Sequence, residues 1–126
     1  MSRLKFNPDF PSIIINADIK ASLPTVAKLI LDTGASYVTL PWNIVTAMGI
    51  PIDTNNTVQL TSASTSETTI KILVPEITVL GKKVNNVEAI IKDLPPQAPA
   101  DGLLGLSFLK HFKLTIDFKK GILELT

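Results

Sequence analysis

The sequence predicts a mostly β fold, a closed barrel or sandwich with one or two short helices. Short runs rich in β-branched and apolar residues alternate with turn residues at close spacing along the chain. The 126 residues contain no cysteine, which excludes disulfides, thiol nucleophiles and cysteine-based zinc sites. A chain of this length suits one domain, residues 1–126, whose core needs no metal or disulfide to be stable.

The first third of the chain predicts a hairpin, a strand and a helix. Two β-rich runs, residues 10–21 and 25–31, are separated by turn residues and predict the hairpin. Residues 37–40 predict a short third strand. A helix is predicted over residues 42–48, because a proline precedes it and a glycine follows it.

A hydroxyl-rich stretch, residues 61–69, lies between two β-like runs. One interpretation is a solvated hairpin loop, which sequence alone favours. The other is a flap that closes over a ligand, because lids are drawn from mobile, weakly packed segments. The candidate flap residues are Thr61, Ser62, Ala63, Ser64, Thr65, Ser66 and Glu67.

The second half of the chain predicts two more hairpins and a second short helix. A hairpin over 76–91 would turn at Gly81-Lys82-Lys83, and a hairpin over 113–125 would end the chain. Between them, the proline-rich residues 93–100 predict a surface connection. Residues 103–106 are apolar enough to predict burial on both sides, and residues 107–111 suit a helix.

Composition narrows the classes of ligand and partner. The formal net charge is +1, with both signs interspersed, so no basic surface for nucleic acid is expected. His111 is the only histidine and has no carboxylate cluster around it, so neither a metal site nor a cofactor is expected. No uncharged apolar run approaches about 18 residues and no signal peptide is evident, so no membrane span is expected and a cytoplasmic location is favoured.

Two motifs carry the chemistry. Asp32-Thr33-Gly34-Ala35-Ser36 follows the apolar run of residues 26–31. Alone it is a weak signal, because Asp and Gly are the commonest turn residues and Asp readily stabilises its own turn. Later in the chain comes a second glycine motif, which consists of Gly102, Leu103, Leu104 and Gly105. The pairing points to half of an aspartic protease site.

Together the two motifs and the flap-like stretch resemble the retropepsin-like aspartic proteases, most closely the single-domain bacterial and cellular members. The resemblance covers residues 13–125 and implies a closed β-barrel of the retropepsin-like acid protease type. It also implies that Asp32 is catalytic and that Thr33 bonds across a twofold axis. Gly34 would donate to the carboxylate, while Ala35 and Ser36 support the turn. Residues 102–105 would form a structural brace behind the site.

The mechanism requires two carboxylates about 3 Å apart that share one proton. This chain has one, because no other Asp is followed by Thr-Gly or Ser-Gly. A twofold homodimer would supply the second, since an isologous interface places the same residue of each subunit on the axis. The resemblance therefore implies a homodimeric aspartic endopeptidase acting on polypeptides. The alternatives are a catalytically silent dimeric module that binds peptides or only dimerises, with Asp32 as a turn residue.

This chain also departs from the retroviral pattern. Ser36-Tyr37 and Leu106-Ser107 stand where acidic and basic residues are typical, and the candidate flap tip has no glycine. The residues that line the groove are open at this stage. Candidates are Val38, Leu40, Ile70, Ile72 and Leu104, whose alternation with their neighbours would equally suit the core.

Overall fold

A computed structural model describes residues 2–126. This part of the chain forms ten strands and two helices. The strands are β1 (Arg3–Lys5), β2 (Ile14–Lys20), β3 (Pro24–Leu31), β4 (Val38–Leu40), β5 (Thr57–Thr61), β6 (Ser66–Val79), β7 (Lys82–Ile91), β8 (Gly102–Leu104), β9 (Leu114–Asp117) and β10 (Ile122–Leu125). The helices are α1 (Trp42–Met48) and α2 (Leu106–Leu109).

Six strands close into a barrel in the order β2-β3-β8-β4-β7-β6, and β2 pairs with β6 to complete the ring. Strand β5 pairs only with β6 and extends the sheet beyond the barrel. The pairings β3–β8 and β4–β7 are parallel, and the other barrel pairings are antiparallel. The mostly β prediction is confirmed, and the closed barrel decides between the barrel and the sandwich.

The barrel interior is filled by side chains. In β2, Ile15, Ala17 and Ile19 are buried while the residues between them are exposed, which is the period of two that a strand imposes. Helix α2 adds Phe108, which is fully buried. Burial of each large side chain of this kind contributes about 1.5–3 kcal/mol. These side chains belong to one continuous hydrophobic core.

A second sheet joins the two ends of the described chain, in the order β1-β10-β9. The predicted C-terminal hairpin is confirmed as β9 and β10. The sequence did not predict β1, which has three residues and pairs with β10 from the opposite end of the chain. Arg3 and Glu124 face each other in this register and form an ion pair of 2.7 Å.

Helix α1 has the predicted bounds. It ends at Gly49, whose φ of 71° lies in the left-handed region and whose N–H reaches the last helical carbonyls. Its first N–H, that of Trp42, donates to Asp93 Oδ1 at 3.0 Å. This contact between distant segments ties the start of α1 to the proline-rich connection.

Strand β6 is longer than predicted. It runs through Pro75 for 14 residues, whereas the sequence predicted separate strands before and after this proline. The ladder pairs Val74 with Val87 and Glu76 with Asn85, and it has no pair at Pro75 itself. The position opposite is Asn86, with a φ of 55°. A proline without an N–H is tolerated because the ladder is interrupted at this point.

Two further predictions were wrong in detail. The turn between β6 and β7 is Leu80-Gly81, and Lys82 and Lys83 already belong to β7. Both turn residues have positive φ, as in two-residue β-hairpin turns whose twist matches that of the strands. Leu106 is 41% exposed rather than buried on both sides, because it starts α2 on the surface. Among residues 2–126, neither helix has the length and apolar character needed to cross a membrane.

Candidate active site

Asp32 is the first residue after β3, and the turn that follows it is built on its own atoms. Its N–H donates to Leu104 O of β8 at 3.1 Å, and its carbonyl accepts the N–H of Ala35 at 3.2 Å. Its carboxylate oxygen Oδ1 accepts the N–H of Gly34 at 2.9 Å. These bonds fix the direction of the half-buried carboxylate with respect to the end of the strand.

Gly34 leaves room for this carboxylate. A Cβ at position 34 would lie 3.2 Å from Asp32 Oδ1, which is closer than most real contacts of a Cβ. A side chain here would therefore press on the oxygen that the Gly34 N–H holds. The structure contains the hydrogen bond that the resemblance implied for Gly34.

The four residues from Gly102 to Gly105 lie directly behind the turn. Strand β8 is inserted between β3 and β4, with Leu104 beside Leu31 and Leu103 beside Thr39. Beyond Gly105, the N–H groups of Leu106 and Ser107 donate to Ala35 O at 2.8 Å and to Ser36 O at 2.9 Å. The segment around the second glycine motif is thus hydrogen-bonded to both the start and the end of the Asp32 turn, although the two motifs lie far apart in sequence.

A groove with a volume of about 500 Å³ lies between the Asp32 turn and the β5–β6 hairpin. Residues 34–37 form one wall and residues 59–62, Thr65 and Glu67 form the other. Thr39, Ile90, Lys92, Leu94 and Leu103 complete the lining. Asp32 is not among the lining residues of one chain, and Thr33 lines a different cavity of about 290 Å³. The turn therefore has one side toward the groove and another toward this second cavity.

Comparison with known proteins identifies this arrangement. The family model described as Aspartyl protease matches residues 15–108, a range that contains both the Asp32 turn and the β8 segment. The chain belongs to the aspartyl protease family. Among solved structures, it is similar to a retropepsin-like aspartic protease from Rickettsia conorii, with a TM-score of 0.68 and 24% identity over 98% of this chain and 87% of that one. A search of curated protein sequences found no match. The aspartyl protease fold of this chain is retropepsin-like, as its sequence predicted.

The hydroxyl-rich stretch forms the tip of the β5–β6 hairpin. The tip is shorter than predicted, because Thr61 belongs to β5 and Ser66 and Glu67 belong to β6. Ser62 N–H donates to Thr65 O at 2.8 Å, and Thr65 N–H donates to Ser62 Oγ at 3.2 Å. Hydroxyl groups thus close a turn that contains no glycine. The side that faces the groove includes Thr61, Ser62, Thr65 and Glu67, but not Ala63, Ser64 or Ser66.

None of the five candidate groove residues lines the groove, so the alternative that they belong to the core is the correct one. Val38, Leu40 and Leu104 are fully buried in the core, Ile72 is buried as well, and Ile70 packs against the core. Their neighbours Thr39 and Leu103 line the groove instead. Successive residues of a strand point to opposite sides, so an error of one residue moves every side chain to the other face.

Ser107, one of the residues at which the chain departs from the retroviral pattern, supports the segment that follows the Asp32 turn. It is buried, and its Oγ accepts the N–H of Val38 at 2.8 Å, where the chain enters β4. The Ser107 hydroxyl of α2 is therefore the hydrogen-bond acceptor for the first N–H of β4. The sequence showed this position only as a departure from the retroviral pattern and did not predict its hydrogen bond to Val38.

We expect Ser107→Ala to lower the free energy of unfolding by about 1–3 kcal/mol, because the buried Val38 N–H would lose its acceptor. The measurement is chemical denaturation followed by circular dichroism. Ser64→Ala is the matched control, since Ser64 is exposed at the hairpin tip. Equal stability of the two variants would contradict the structural role of Ser107.

Away from the groove, Lys71 and Glu88 form an ion pair of 2.7 Å between β6 and β7. The hydrogen bond from Lys71 lowers the pKa of Glu88 below 4.5, and the same bond raises the pKa of Lys71 above 10.5. The stability that Glu88 contributes is present above its unfolded-state pKa and is lost as pH falls through its lower folded-state pKa. The stability that Lys71 contributes is present below its unfolded-state pKa and is lost as pH rises through its higher folded-state pKa. The pair is therefore intact at mildly acidic pH.

Proposed function

We propose that this protein is an aspartic endopeptidase whose dyad consists of Asp32 and Asp32 of a second copy. The observation that carries the proposal is the Asp32 turn. The Asp32 carboxylate accepts the N–H of Gly34. Both ends of the turn are hydrogen-bonded to residues 104–107, and the turn lines a groove of about 500 Å³. Membership of the aspartyl protease family supports the same conclusion.

The chemistry follows from two carboxylates that share one proton. The ionised carboxylate takes a proton from a water molecule, whose oxygen attacks the carbonyl carbon of the peptide bond. The protonated carboxylic acid donates its proton to the carbonyl oxygen. The carboxyl group that took the proton from water then gives it to the amide nitrogen, and the C–N bond breaks. A hydroxyl of the intermediate returns its proton to the other carboxylate, so the products are a carboxylic acid and an amine and the dyad again holds one proton. No covalent intermediate with the enzyme forms, and the rate is highest at acidic pH, where the dyad holds one proton.

The second copy is expected to dock beside Thr33. An apolar cavity at this position is lined by Thr33 together with residues of the segment before β2 and of the terminal sheet, including Phe6, Phe10, Ile116 and Phe118. Phe10 is 48% exposed and Phe118 is 63% exposed. A shared dyad requires the Asp32 turns of two copies to lie against each other. Large apolar side chains exposed beside such a turn are typical of a surface that a partner protein covers. This supports an isologous dimer on this face.

We expect Phe10→Ser to weaken this dimer about tenfold, because loss of a buried aromatic anchor at an interface costs on the order of 1–2 kcal/mol. The dimer dissociation constant can be measured by analytical ultracentrifugation. Val26→Ser is the matched control, since Val26 is 57% exposed and lines neither cavity. A protein that stays monomeric at concentrations where it cleaves peptides would contradict the shared dyad.

A silent peptide-binding module is the second candidate, and one observation favours it. The groove has two walls and a floor in a single chain, and Asp32 is not among the residues that line it. Such a groove can bind an extended peptide without turnover. Cleavage of a peptide library at acidic pH, with and without a statine-containing inhibitor, separates the two functions. Inhibitor binding without any cleavage would favour the silent module.

A further inference from the structure

The lining of the groove contains one ion pair. Among the described lining residues, only Lys92 and Glu67 are charged. Lys92 Nζ donates to Glu67 Oε1, so each charge neutralises the other. Both side chains remain close to half exposed, at 44% and 47%, which leaves them accessible to a ligand.

The two charges are held in different ways. Lys92 follows β7 directly, and its N–H donates to Leu40 O at 3.0 Å, which fixes its backbone to the barrel. Glu67 is the second residue of β6, next to the tip of the β5–β6 hairpin and opposite Leu60, and residues 61–68 are all exposed. Hairpin tips with few packed contacts move most easily. The cation therefore belongs to the rigid floor and the carboxylate to the wall most able to move.

We propose that Lys92 is a specificity-determining residue that binds an acidic side chain of the substrate, and that the Glu67 carboxylate competes with the substrate for Lys92. The inference rests on the proposed endopeptidase function and names the substrate class of the same site. An incoming Glu or Asp replaces the Glu67 carboxylate on Lys92, and Glu67 turns to water from its exposed strand. A basic side chain would instead compete with Lys92 for Glu67 and leave two cations close together in one groove.

The expected size of the preference is modest. Exposed ion pairs contribute at most about 1 kcal/mol, so Glu should be preferred to Gln by up to about fivefold. The preference for Glu over Lys should be larger than that for Glu over Gln. A substrate Lys lacks the ion pair with Lys92 and is also repelled by its charge.

The test uses a peptide that the wild-type protein cleaves, with Glu, Gln or Lys placed in turn at each position on either side of the cleaved bond. The measurement is kcat/KM. We expect one position at which wild type prefers Glu, and we expect Lys92→Met to abolish this preference and Lys92→Glu to change it to a preference for Lys. Glu67→Gln should increase the preference for Glu, because it removes the internal competitor. Lys20→Met is the matched control, since Lys20 is exposed and lines no part of the groove.

The outcomes separate the two proposals. If wild type cleaves no peptide from which this set could be built, the endopeptidase function fails and this inference fails with it. If wild type cleaves the three peptides equally at every position, only the role of Lys92 is overturned. A preference for Glu that persists in Lys92→Met, or that decreases in Glu67→Gln, also overturns it.

Discussion

The Asp32→Asn variant is expected to lose peptide cleavage by a factor of about 10²–10⁴ or more at mildly acidic pH. An amide of the same shape neither takes a proton from water nor passes one to the carbonyl oxygen, so the general acid–base contribution is removed. The turn should survive, because the remaining side-chain oxygen still accepts the Gly34 N–H. The measurement is kcat/KM on a peptide that wild type cleaves, together with the thermal unfolding midpoint.

Asp18→Asn is the matched control for this experiment. Asp18 is exposed on β2, outside the groove, and undergoes the same chemical change. It should retain wild-type cleavage. If Asp32→Asn cleaved peptides at the rate of Asp18→Asn, Asp32 would not be a catalytic residue.

A mixing experiment with the same variant tests whether the site is shared between two chains. In an equal mixture of wild type and Asp32→Asn, random pairing leaves about one quarter of the dimers with two Asp32 residues. A shared dyad therefore predicts about one quarter of the activity of the same total amount of wild type. A site complete in one chain predicts about one half. The second result would contradict the dimeric mechanism while leaving the role of Asp32 intact.

Local signals in the sequence predicted the elements that local interactions create. Helix α1 lies between a proline and a glycine whose φ is positive, and its bounds follow from these two residues. The hairpins follow from β-branched runs and turn residues. The hydrogen bond between Gly34 and Asp32 spans two residues, and the resemblance implied it.

What the sequence missed depends on contacts between distant segments. Strand β1 exists because it pairs with β10, and Trp42 of α1 finds its acceptor on Asp93. Pro75 ends a strand in most local contexts, but here the ladder is already interrupted by the backbone of Asn86. The sequence did not identify the residues that line the groove, for a related reason. Which face of β4 or β8 is buried depends on the closure of the barrel, which no local pattern specifies.

Gly105 lies behind the Asp32 turn, where the backbone leaves no room for a side chain. A Cβ at position 105 would lie 2.4 Å from Tyr37 O and 2.7 Å from Ala35 O. These atoms belong to the backbone, and the Leu106 N–H already holds Ala35 O in place, so neither side yields easily. We expect Gly105→Ala to lower the free energy of unfolding by about 1–3 kcal/mol and the unfolding midpoint by on the order of 5–10 °C.

Gly105→Ala should also reduce cleavage by the molecules that remain folded, because a shift of Ala35 moves the turn that Asp32 begins. Gly81→Ala provides the comparison. Gly81 is exposed in the β6–β7 turn with a φ of 77°, so alanine there costs about 1–2 kcal/mol through backbone conformation alone. Both variants lose stability, but only the one behind the turn should lose activity per folded molecule, measured at a temperature where both are folded. Equal activity would mean that the β8 segment stabilises the barrel without positioning the carboxylate.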